Sequence, residues 1–70
     1  MKLYEIPENS KIRLDIAGEY IETKTQTCIF RHIDGMYSYI ETEEGQVVHL
    51  SAAAPLKLCA DGIYELDESA

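Results

Sequence analysis

Seventy residues make one domain, because a chain this short hides only about 60% of its unfolded surface and has no apolar area to divide between two cores. Hydrophobic residues are 46% of the chain and charged residues 27%, too apolar a balance for a disordered segment. Thirteen acidic residues against six basic ones leave a net charge of −7, which repels a phosphate backbone and sets general nucleic-acid binding aside.

The acids are spread as Glu5/Glu8, Glu19/Glu22, Glu41/Glu43/Glu44 and Asp61 to Glu68, the pattern of a solvated surface. The sharper alternative is an acidic face that docks on a basic partner or imitates DNA. The opening residues Met1 to Glu5 have neither the basic nor the apolar region of a secretion signal. No apolar run approaches the roughly 18 residues of a membrane span. The expectation is a cytoplasmic protein without membrane insertion, with Cys28 and Cys59 as reduced thiols. Apolar burial in so small a scaffold roughly cancels an ordering entropy of about 1.5 kcal/mol per residue, so homodimerisation or docking on a larger protein would add stability.

Leu3 to Ile6 is a short apolar segment able to pair as an edge strand, and Pro7-Glu8-Asn9-Ser10 is a turn by composition. In Lys11 to Ile16 polarity alternates, which sends Ile12, Leu14 and Ile16 to the core and Lys11, Arg13 and Asp15 to water. A turn near Ala17-Gly18 leads into a β-favouring run, Ile21 to Ile33, that is too long for a flat strand. Its buried side is expected to switch along its length, which leaves the faces of Cys28 and Phe30 open. Asp34-Gly35 predicts a type I′ hairpin pairing Arg31 to Ile33 with Met36 to Thr42. A second turn at Glu43-Glu44-Gly45 precedes the strand Gln46 to Leu50. Ser51 to Pro55 is too short for a helix and predicts one 3₁₀ turn. Leu56 to Cys59, a turn at Asp61-Gly62 and Ile63 to Leu66 complete residues 1–66 as a single domain, with 67–70 as a frayed tail. The fold class is all-β, a small antiparallel SH3-like barrel of five to seven short strands with one 3₁₀ turn.

Catalysis needs a nucleophile or metal beside an oriented base, and few residues qualify. His32 follows Cys28 by four residues, so on a regular strand the two share a face; His49 and Cys59 lie on later strands. Zinc ligands come in close pairs such as Cys-x-x-Cys, which this chain lacks, so these residues read as small thiols and half-exposed histidines. Glu41/Glu43 flank a turn and read as surface charge, and no phosphate or calcium loop occurs. No catalytic residue, metal site or cofactor is expected.

Tyr37 and Tyr39 alternate with Ser38 and share a face directly after the Asp-Gly corner, which is either a core edge or an exposed aromatic patch. Tyrosine is enriched at binding hot spots. With Arg31 and His32 on the neighbouring strand, this hairpin is the expected partner-binding segment.

The strand Lys11-Ile12-Arg13-Leu14 after a polar turn, then Gly45-Gln46-Val47-Val48-His49-Leu50, Leu56-Lys57-Leu58 and Gly62-Ile63-Tyr64-Glu65-Leu66, resembles the N-terminal barrel of bacterial flagellar-brake proteins, the domain that precedes a cyclic-di-GMP-binding PilZ domain. The likeness spans Ser10 to Leu66. The family's Arg-x-x-x-Arg and Asp/Asn-x-Ser-x-x-Gly segments are absent, so no nucleotide-binding residue carries over. The resemblance implies an accessory half that acts through protein contacts. The expected function is thus a non-catalytic protein-interaction or regulatory module, with the resemblance implying motility or signalling. The competing readings are an acidic decoy of the phage type, occupying a basic nucleic-acid-binding surface, and a small-ligand-binding barrel.

Overall fold

The computed structural model describes residues 1–17 and 23–69. The expected corner at Gly18 and the start of the long run at Ile21 lie outside the described residues. Six strands form one sheet: β1 (Lys11–Ala17), β2 (Thr23–Asp34), β3 (Tyr37–Glu41), β4 (Val47–Val48), β5 (Leu56–Leu58) and β6 (Tyr64–Leu66). Their order across the sheet is β4-β3-β2-β1-β6-β5. The protein is a small all-β domain. The pairing is antiparallel except between β1 and β6, which run parallel with Ile12 beside Tyr64 and Arg13 beside Glu65. Among the described residues no helix is long and apolar enough to cross a membrane.

Alternation in β1 does what the polarity pattern predicts, burying Ile12 and Leu14 and leaving Lys11 and Asp15 exposed. In β2 Gln26, Cys28 and Phe30 point inward, which settles the faces of Cys28 and Phe30. Cys28 and Phe30 join Ile12, Leu14, Leu3, Ile6, Ile40 and Leu56 in the core, with Ile33, Val48 and Leu50 packed against it. Each fully covered aliphatic side chain stabilises the fold by about 1.5–3 kcal/mol.

The switch of face in β2 has a definite place. Phe30 pairs with Ile40 and His32 with Tyr39, so Arg31 is an extra residue, a β-bulge. Before the bulge Gln26, Cys28 and Phe30 point inward; after it His32 is exposed and Ile33 half-buried. Cys28 and His32 therefore lie on opposite faces, contrary to the regular-strand expectation.

Two local expectations need correction. The 3₁₀ turn is Leu3–Glu5, where an edge strand was expected, and Glu5 Oε1 accepts the Lys2 N–H at 2.6 Å to close its start. Ser51 to Pro55 makes the single i→i+3 turn expected of it, with Ala54 N–H donating to Ser51 O at 3.0 Å. The proline forces the residue before it toward extended backbone and stops a second turn from forming. The β2–β3 corner is also displaced by one residue. Asp34 pairs with Tyr37 across Gly35 and Met36, and of these only Gly35 has positive φ, at 64°. That is the pattern of a type II′ turn rather than type I′.

Candidate functional site

The bulge and the corner together fix what the hairpin shows to solvent. His32 lies opposite Tyr39, and Asp34 opposite Tyr37. On the other side of β3, Tyr37 bridges Ser51 and Ile40 pairs with Val48, a register that sets His49 opposite Tyr39. The outer surface is therefore a grid of two rows, Asp34-Tyr37-Ser51 and His32-Tyr39-His49. Ser38 and Ile40, between and beyond the tyrosines, are fully buried on the inner face.

The second row is a stack. The His32 and Tyr39 rings lie 4.6 Å apart at 26°, and the Tyr39 and His49 rings meet edge-on at 4.8 Å and 84°. Both separations fall in the range at which aromatic pairs attract. Tyr37 is 59% exposed and Met36, at the tip of the turn, 78%. A shallow hollow of about 320 Å³ opens among Asp34, Tyr37, Tyr39 and His49.

His49 belongs to the site although it is distant in sequence, and Ser38 explains how it is held. The Leu50 N–H donates to Ser38 Oγ at 3.1 Å, and the same hydroxyl donates to Leu50 O at 3.0 Å. With Leu50 served by the hydroxyl, the Ser38 carbonyl accepts from His49 Nδ1 at 2.8 Å. A carbonyl only accepts, so Nδ1 carries the proton and, in the neutral ring, Nε2 is left as an acceptor. No periodicity signals this arrangement. It comes from a serine at a buried strand position opposite the residue after a histidine.

No protein-family model, curated protein or solved structure matches this chain. The site is thus read from its own geometry.

Of the expected binding residues, His32, Tyr37 and Tyr39 line the aromatic grid, and Arg31 pairs with Glu41, the next outward residue of β3 after Tyr39. Arg31 sits at the bulge, donating from Nε and Nη2 to Glu41 Oε1 at 2.9 and 2.8 Å and from Nη1 to Asn9 Oδ1 at 3.1 Å. Asn9 has φ of 71° and its N–H donates to Phe30 O at 2.7 Å. Arg31 thereby ties the 7–10 turn to the bulge while its side chain stays 45% exposed.

A second ion-paired group lies across β1 and β6, where Arg13 is bound by both Glu65 and Asp61. The Ile63 N–H and the Arg13 guanidinium hold the Asp61 carboxyl below the usual carboxylate range, and Arg13 does the same for Glu65. Burial pushes the thiols of Cys28 and Cys59 above their ordinary value. Neither thiol is thereby activated as a nucleophile. A larger hollow of about 430 Å³ is lined by Ile16, Val48 and Leu50 together with Asp15, Glu65 and Glu68. It is lined by partly buried core residues and by the carboxylate that already pairs with Arg13.

Proposed function

We propose that this chain is a non-catalytic, SH3-like barrel module of the cytoplasm that binds another protein through the outer face of the β2–β3 hairpin, as a regulatory or accessory element. The observation that carries this reading is the exposed aromatic grid, with Tyr37 more than half exposed beside a Tyr39 ring already fixed between two histidines. A rigid aromatic face loses little side-chain entropy on binding, and Tyr is among the residues that dominate interface energetics. The resemblance to the accessory barrel of flagellar-brake proteins agrees with a role exerted through protein contacts, and motility signalling is the process it suggests.

The test is affinity capture from lysate of the source cells with wild-type bait and with a Tyr37→Ala, Tyr39→Ala bait whose fold is verified by its amide spectrum. The reading expects a partner retained by the first and lost by the second. A partner equally retained by both, and released as salt rises toward about 0.5 M, would replace it with the acidic-decoy reading, because many exposed charge pairs are screened together at that ionic strength.

A further inference from the structure

Three of the four residues that line the hairpin hollow, Asp34, Tyr39 and His49, present hydrogen-bond acceptors to it. Asp34 contributes a carboxylate, which only accepts hydrogen bonds. Tyr39 spends its hydroxyl proton toward Asp34 Oδ2 at 3.5 Å, leaving its oxygen lone pairs to accept. His49 spends its Nδ1 proton on the Ser38 carbonyl and keeps Nε2 as an acceptor. Tyr37 adds an exposed ring, whose face attracts a cation within about 6 Å. Among the described residues no lysine or arginine lines the hollow. An anion meets the Asp34 carboxylate there and no cationic side chain, whereas a planar cation carrying several N–H donors finds acceptors and a π face together.

We propose that this hollow receives an arginine side chain presented by a basic segment of the partner, an inference that rests on the protein-binding reading above. Arginine fits better than lysine because its flat guanidinium stacks on a tyrosine ring while its N–H groups reach Asp34 and His49 side by side. A second copy of this chain is not the occupant. Its two arginines are Arg13 and Arg31, and both guanidinium groups already hold carboxylates, Asp61 and Glu65 in one case and Glu41 in the other. The net charge of −7 favours a basic partner over long range.

The experiment titrates the ¹⁵N-labelled full chain with a blocked peptide, acetyl-Gly-Gly-Arg-Gly-Gly-amide, and with its citrulline counterpart, which keeps the shape and loses the charge. Saturable shifts confined to Asp34, Tyr37, Tyr39, His49 and their neighbours are expected with the arginine peptide and not with citrulline. Asp34→Asn and Tyr37→Ala, both at exposed positions, are each expected to weaken binding by about fivefold while the remaining amide resonances stay in place. Equal responses to the two peptides, or shifts centred elsewhere, would overturn the proposal. If the arginine peptide fails to bind while the Tyr37→Ala, Tyr39→Ala bait still loses its partner, this inference falls and the protein-binding reading stands. A partner kept by that bait despite a localised arginine response sinks the protein-binding reading and leaves an arginine site.

Discussion

At Ser38 a side-chain hydroxyl takes the place of a backbone carbonyl in the ladder, and the geometry of His49 depends on that exchange. Ser38→Ala leaves the Leu50 N–H without its acceptor in a partly buried setting, a loss of about 1–3 kcal/mol. Denaturant unfolding of Ser38→Ala against wild type measures it. Tyr37→Ala removes mostly solvated surface and is expected to change stability by no more than about 0.5 kcal/mol in the same assay. The contrast separates a residue that builds the face from one displayed on it. The two cysteines offer a further check, since Cys28 is fully buried and Cys59 is half-buried. Iodoacetamide should label one thiol in the native protein, faster as pH rises because both thiols are held above their ordinary value, and the second only in denaturant. Two fast-reacting native thiols would contradict the burial of Cys28.

Within elements, Gly35 and the Arg31 bulge set the orientation of the hairpin. A Cβ at Gly35 meets nothing within 4 Å, so Gly35→Ala costs only the positive φ of 64°, about 1 kcal/mol. Gly35→Asn should recover part of that loss, because asparagine tolerates left-handed backbone. Thermal unfolding of the two variants compares them, and an unchanged Gly35→Ala would argue against positive φ at this corner. Much of the sheet is legible in the sequence because it is encoded locally. The alternation of Ile12 and Leu14, the corner near Asp34-Gly35 and the turn at Gly45 each depend on residues a few positions apart. The bulge is different. Whether residue 31 is paired or extra depends on what β3 presents across from it, so Cys28 and His32 seem to share a face until the partner strand is in place. The parallel β1–β6 pair, the 3₁₀ turn at Leu3–Glu5 and the recruitment of His49 are likewise fixed by tertiary partners. Tyr37 and Tyr39 were legible as a pair, and their outward direction follows only once Ser38 and Ile40 are known to be buried.

Charge acts on the whole molecule. A net charge of −7 makes the folded chain repel itself, and the three exposed or half-exposed ion pairs among the described residues offset that only weakly. Raising sodium chloride from about 0.02 to about 0.2 M should therefore raise the melting temperature. Acid reveals the Arg13 group. Asp61 and Glu65 are held below the usual range in the folded state, so the stability they confer is present above about pH 4 and is lost as pH falls through their folded values. Arg13→Gln should be less stable than wild type at pH 7, with the gap in denaturant midpoint narrowing below about pH 4. A constant gap would mean that Arg13 acts through packing alone. The claim that the hairpin's outer face is where this module meets its partner is tested most directly by a photo-crosslinking residue placed in the source cells at Tyr37, and separately at Leu58. These positions are 59% and 57% exposed, and β3 and β5 are separated by three strands of the sheet. A discrete adduct is expected from position 37 and none from position 58; an adduct from 58 alone, or the same adduct from both, would contradict binding at the hairpin face.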